Sequence, residues 1–178
     1  MSNEALPNTP DDSFAPMADG TVTIRDGRQL MRFERDVPHP VERVWQALTD
    51  PELLDYWLAD AKELDLVEGG RLRFVCPGTG EEGAAGTVST LRPMTELAYD
   101  TEFFGLLHWV LTPIPGGCHV VSTVWKALPE DKVPEMLANW HVHMDFFGDA
   151  LDGKRVDWEN FPLHVWEEIR DQYVAAAG

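Results

Sequence analysis

The sequence predicts an α+β domain in which a curved antiparallel β-sheet wraps around one long helix near the C-terminus, with two short helices after the first strand. Three observations predict it. Residues 31–58 read as a strand, a proline stop and two capped helices. Residues 64–128 alternate at period two between short turns, the spacing of antiparallel neighbours. The helical period then returns at Val133 and holds to Leu151. An antiparallel sheet must bury one face, and the last helix is the element best able to cover it.

The elements follow in chain order. Thr21, Val22, Thr23 and Ile24 precede the turn dipeptide Asp26-Gly27, and Gln29 to Val37 return from it, the form of a hairpin. Met31, Phe33 and Val37 share one face of that second strand, while Arg32, Glu34 and Asp36 share the other. Pro38 and Pro40 stop it. Pro40 can open a helix whose stripe is Val41, Val44, Trp45 and Leu48, at i, i+3, i+4 and i+7. A second helix starts at Pro51, with Thr49 or Asp50 as cap and Glu52 at capping-box distance from Thr49.

Leu64 and Leu66, the Glu68-Gly69-Gly70 turn, and Leu72, Phe74 and Cys76 form a further hairpin. Four more strands are expected over Thr87 to Leu91, Glu96 to Phe103, Leu107 to Thr112 and Cys118 to Leu128. The stripe Val133, Leu137, Trp140, Met144, Phe147 and Leu151 defines the buried face of the long helix, which Gly153 ends as C-cap. Leu163, Trp166, Ile169 and Tyr173 share one side of a short tail helix packed outside the domain. The expected division is a disordered lead over residues 1–19, one domain over 20–153, and a tail over 154–178.

Composition bounds the function. With 178 residues, 44% hydrophobic and 25% charged, the chain suits one globular domain, and no apolar run nears the roughly 20 residues of a membrane span. A formal net charge of -17 opposes binding to phosphate backbones or anionic lipid, so neither nucleic acid nor membrane insertion is expected. Glu4, Asp11 and Asp12 stand where a secretory signal carries basic residues, which predicts a cytoplasmic location. Cys76 and Cys118 have no CxxC spacing and read as reduced core thiols.

The order strand, two helices, meander and long helix resembles the START-like superfamily with the helix-grip fold, also called SRPBCC. The run Pro40-Val41-Glu42-Arg43-Val44-Trp45-Gln46-Ala47-Leu48-Thr49-Asp50-Pro51-Glu52 is similar to the activator of heat-shock-protein-90 ATPase homologue family within it. The Glu68-Gly69-Gly70 turn before Leu72-Arg73-Phe74 and the Trp140 helix also resemble that family, over about residues 28–151. The resemblance implies a hydrophobic cavity between the sheet and the C-terminal helix. Some relatives bind lipids or aromatic polyketides, some are cyclases, and the name-giving member is a co-chaperone. It implies no shared catalytic motif.

The candidate chemistry is sparse. Gly78 to Gly83 match GxGxxG, but strands flank them and Glu81 and Glu82 lie where a pyrophosphate would sit, so they read as a connecting loop. His141 and His143 are two apart on a helix and cannot converge on one ion; Asp145, four residues after His141, can pair with it as a surface effect. His143, between Trp140 and Phe147, is the better polar group for a cavity, with the two histidines read as one partly exposed and one at a pocket edge. His108 and His119 lie in adjacent strands whose register the sequence leaves open. There is no GxSxG or HExxH, and Asp65, Asp100 and Glu102 could act as acid or base only if buried.

The expected function is therefore that of a non-enzymatic binding protein without cofactor or metal. It would hold a small hydrophobic or aromatic ligand between Trp57, Phe74, Trp109, Trp140, Met144 and Phe147, with His143 orienting a polar end. The alternative is a chaperone-linked interaction module in stress response, with a chaperone or other protein as partner. A cyclase or hydrolase ranks third.

Overall fold

The computed structural model describes residues 18–77 and 84–178; the loop reading of residues 78–83 and the disordered-lead reading of residues 1–17 lie outside them. Among the described residues, eight strands build one antiparallel sheet. They are β1 (Thr21–Arg25), β2 (Arg28–Val37), β3 (Asp60–Leu64), β4 (Arg71–Val75), β5 (Ala84–Arg92), β6 (Glu96–Thr101), β7 (Gly105–Ile114) and β8 (Gly117–Lys126). Their order is β1-β2-β8-β7-β6-β5-β4-β3. Helices α1 (Val41–Thr49) and α2 (Pro51–Trp57) carry the chain from β2 to the far edge at β3. Each later strand pairs with its predecessor until β8 closes on β2. With α3 (Val133–Leu151) laid over one face of the sheet, this is the α+β helix-grip architecture. Among the described residues no helix is long and apolar enough to cross a membrane.

The register aligns the inward side chains in rows. Met31, Val124, Leu107, Tyr99 and Val88 lie opposite one another across five strands, and Phe33, Ser122, Trp109 and Leu97 form the next row. Onto these rows α3 sets Leu137, Trp140, Met144, Phe147 and Leu151, all buried, while Val133 at its start is half-buried. The helix is buried on a second side as well. His141 turns toward α4 (Leu163–Ala177) and meets its Tyr173, which is buried along with Ile169 of the same helix. A helix between a sheet and a second helix has two dry faces, so its apolar pattern is wider than one stripe.

Helix ends are satisfied by residues far away in sequence, and this sets how the layers join. The last carbonyls of α1 are accounted for one by one: Asp50 N–H donates to Gln46 O at 2.8 Å, Trp57 Nε1 to Ala47 O at 2.8 Å and Tyr99 Oη to Leu48 O at 2.7 Å. Thr49 donates its hydroxyl to Trp45 O, so Asp50 is the cap of α2, accepting from Glu52 N–H at 2.9 Å. Helix α1 itself starts at Val41, with Pro40 as its extended N-cap residue.

The end of α3 is a Schellman motif. Gly153 N–H donates to Ala150 O and Lys154 N–H to Asp149 O, with Gly153 at φ +78° as the C-cap pattern predicts. Arg43 on α1 adds hydrogen bonds at 3.2 Å to the carbonyls of Ala150 and Leu151, a cation at the negative end of the helix.

The segment before β1 is fastened to α4: Ala18 N–H donates to Gln172 Oε1 and Gly20 N–H to Tyr173 Oη, both at 2.8 Å. Cys118 is buried in β8, Cys76 follows β4, and the two are not joined.

Candidate functional site

A cleft of about 480 Å³ opens where α3 passes the ends of β4 and β8 and the β6–β7 turn. That volume is within the range of about 300–1,000 Å³ common for small-molecule sites. Its walls are mainly rings: Phe103 and Phe104 from the turn, Trp140 and His143 from α3, and Trp158 and Phe161 from the segment between α3 and α4. Leu58, Met136, Pro77 and Cys76 complete the lining beside the rings, and Lys126 and Asn139 add polar groups.

Each wall is held by identifiable bonds. In the β6–β7 turn, the Thr101 hydroxyl accepts from Phe104 N–H at 2.9 Å and donates to Gly105 O at 3.1 Å. Gly105 sits at φ +81°, and a Cβ there would meet Trp125 O at 2.3 Å, so the tight turn that presents the two phenylalanines requires glycine. Trp158 is anchored to α2: its Nε1 donates to Asp55 O at 3.3 Å, Val156 N–H donates to Tyr56 O at 3.0 Å, and Arg155 pairs with Asp55. The rings meet in series, Phe104 on Trp140 with centroids 5.7 Å apart, Trp140 on His143 at 5.3 Å, and His143 on Trp158 at 5.8 Å.

His143 is the polar centre of this wall. Its Nδ1 lies 2.8 Å from Trp57 O, and a carbonyl only accepts, so Nδ1 carries the proton. Burial pushes the imidazole below its ordinary pKa, and the bond to Trp57 only partly opposes that. The neutral ring therefore keeps Nε2 as an acceptor. Asn139 accepts from Trp166 Nε1 at 2.6 Å through Oδ1, which leaves its amide N–H groups as donors. Lys126 Nζ lies 2.5 Å from Phe103 O and 5.2 Å from the Phe103 ring centre, and burial lowers its pKa from the ordinary value. The arrangement offers ring faces, one acceptor, amide donors and one cation.

Of the residues expected around a ligand, Trp140 and His143 line this cleft. Trp57, Phe74, Trp109 and Phe147 are instead packed against one another and against Tyr99 in the closed core, at 0–2% exposure. The reason for Trp57 is plain: its indole N–H is spent on Ala47 O and its ring on Trp109 and Phe147. Met144, also buried, borders a separate hollow of about 290 Å³ on the Arg35 side of α3, which Phe147 touches as well.

His141 is 3% exposed and differs from the surface pairing expected of it. Its Nδ1 lies 3.0 Å from Tyr173 Oη and 3.2 Å from Asp19, and its Nε2 lies 3.6 Å from Asp145. Arg35 pairs with both carboxylates. The covering α4 buries the His141 ring, while the Asp19 and Asp145 carboxylates that meet it stay about half exposed. Burial drives the Asp19 carboxyl up, but the His141 hydrogen bond and the Arg35 charge outweigh it and hold Asp19 below its ordinary value. At Asp145 burial prevails and the pKa is raised.

His108 and His119 lie on the outer sheet face opposite Thr123 and Thr112, so they do not pair with each other. Each meets a carboxylate, Glu96 at 2.8 Å and Asp36 at 2.5 Å respectively. Asp65, Asp100 and Glu102 are exposed.

Phe103, Phe104, Trp158 and Phe161 entered no candidate set in the sequence. A signal was present in the first pair: two adjacent aromatics occupy a hairpin turn, where polar residues are usual.

The activator of Hsp90 ATPase homolog 1-like protein family matches residues 38–152. The chain belongs to this family. Membership accounts for the run from Pro38 through α1 and α2, whose Arg43, Asp50 and Trp57 make the joints described above. No curated protein matches the sequence significantly. Among solved structures, the chain is similar to CalU16 from Micromonospora echinospora, with TM-score 0.67 and 19% identity over 88% of this chain and 94% of that one. A conserved protein of unknown function from Enterococcus faecalis, EF2215, aligns with TM-score 0.68 and 16% identity over 89% and 90%. DynU16, from the dynemicin biosynthetic locus, aligns with TM-score 0.62 and 23% identity over 72% of this chain and 50% of its own. These likenesses concern the fold.

Proposed function

We propose that this family member is a binding protein for a small hydrophobic or aromatic molecule held between the sheet and α3. The observation that carries the reading is the cleft of about 480 Å³ whose walls are Phe104, Trp140, Trp158 and Phe161. Aromatic rings in edge-on and tilted contact around one acceptor suit a flat apolar body with a hydroxyl or N–H that donates to His143 Nε2. In this reading the polar groups near the cleft, His143, Asn139 and Lys126, bind and orient the ligand.

Native mass spectrometry of the purified protein, together with a titration by the neutral dye N-phenyl-1-naphthylamine, tests the reading. A co-purified molecule released on denaturation, or saturable dye fluorescence at one site per chain, is the expected result. An empty protein that also ignores the dye, while pulling down a chaperone at low salt, would replace the reading with that of an interaction module.

A further inference from the structure

We infer that the cleft selects ligands that carry an anionic group, and that Lys126 is the residue that receives it. The inference rests on the proposed ligand-binding reading and adds the charge class of the ligand.

The argument starts from the charge of the chain. Acidic residues outnumber basic ones, 31 to 14, so most cations have carboxylates within reach. Lys62 pairs with Asp60 and Lys132 with Glu135. Lys126 has no carboxylate partner among the described residues. Its ammonium is turned instead to the Phe103 carbonyl and the Phe103 ring, two acceptors that carry no formal charge, at the rim of an aromatic cleft. A partly desolvated cation without a counter-ion is costly, and an anion delivered by a ligand removes that cost. Burial holds the Lys126 amine below its ordinary pKa, which points to the same missing charge.

Two further features narrow the ligand. Asn139, its amide oriented by the bond from Trp166 to Oδ1, presents N–H groups as a second donor to a carboxylate or other oxyanion in the same cleft. The long-range field of a chain with net charge -17 repels anions. A preference for an anion must therefore arise within a few ångströms, at Lys126, and not from the surface as a whole. The ligand class is an aromatic body with a carboxylate or comparable oxyanion and one hydroxyl or N–H donor for His143.

A matched pair of dyes gives the test. 1-Anilinonaphthalene-8-sulfonate and N-phenyl-1-naphthylamine share a ring system and differ in the sulfonate. The expected result is tighter binding of the sulfonate dye, by about fivefold to tenfold, at low salt. Lys126→Gln should abolish that preference, bringing the ratio of the two dye affinities to about one, and Lys126→Arg should retain it. Thermal melts that coincide for the three proteins exclude dye uptake by partly unfolded chains. If the neutral dye binds but the sulfonate dye gains nothing, or if Lys126→Gln keeps the preference, the inference is overturned and the binding reading stands. If neither dye binds, the binding reading fails and this inference with it.

Discussion

His143 donates from Nδ1 to the carbonyl oxygen of Trp57 at 2.8 Å, and this bond joins the middle of α3 to the last residue of α2. It sets the tautomer of the one imidazole in the cleft wall and links the cleft to the closed core. On one side of the bond lie Trp140 and Trp158, facing the cavity. On the other lies the Trp57 ring, packed on Trp109 and Phe147.

The bond carries a pH dependence. Burial lowers the folded pKa of His143 below its ordinary 6.5. Below that value the unfolded chain takes up a proton the folded one refuses, so this group's contribution falls as the pH drops from 6.5 toward the folded pKa. Asp145, with a raised pKa, acts in the opposite sense at lower pH. The difference between wild type and His143→Phe isolates the histidine. The variant should be less stable at pH 7 by about 1–3 kcal/mol, through the orphaned Trp57 carbonyl. That deficit should shrink on acidification from pH 7 to 5, as read by urea unfolding.

Tyr99→Phe removes a hydroxyl whose partner, Leu48 O, is a buried carbonyl at the end of α1. Leaving that carbonyl without a donor should cost about 1–3 kcal/mol. The urea midpoint should fall with an unchanged m-value, because the surface exposed on unfolding is the same. Binding of N-phenyl-1-naphthylamine should not change.

Cleft and core should separate by mutation. Phe104→Ala and Trp158→Ala each remove a half-buried ring from the cleft wall, so neutral-dye affinity should drop about tenfold, the scale of 1–2 kcal/mol of lost ring contact. Trp109→Leu, in the closed core, should lower stability by about 2–4 kcal/mol with little effect on dye affinity in the folded protein. Parallel dye titrations and thermal melts check both halves.

Tyr173 accepts from Gly20 N–H and meets His141 Nδ1, so it latches the start of β1 to α4. All five residues of β1 are exposed, and β1 pairs with β2 alone. Tyr173→Phe should therefore speed amide exchange at Gly20 and along β1 while β6, β7 and β8 keep their protection, measured by hydrogen exchange.

Element type and order were legible in the chain because local rules govern them. Period two in Met31, Phe33 and Val37, the proline stop, the Trp140 stripe and Gly153 as C-cap all depend on neighbours within a turn or a strand. The candidate site was legible only in part. Trp140 and His143 sit on a helix face whose direction periodicity gives. Trp57, Phe74, Trp109 and Phe147 have the same apolar chemistry as cleft residues, and nothing local tells a ring that closes a core from one that walls a cavity.

The sequence by itself determined the helix-grip architecture and the family, since both reside in the order of elements and in the run from Pro38 into α2. Only the tertiary structure decided where the cavity lies. Phe103 and Phe104 reach it through the Thr101–Gly105 turn, and Trp158 and Phe161 through a segment pinned on Asp55 and Tyr56. Those contacts join residues up to about a hundred positions apart, and a cavity is the space such long-range packing leaves unfilled.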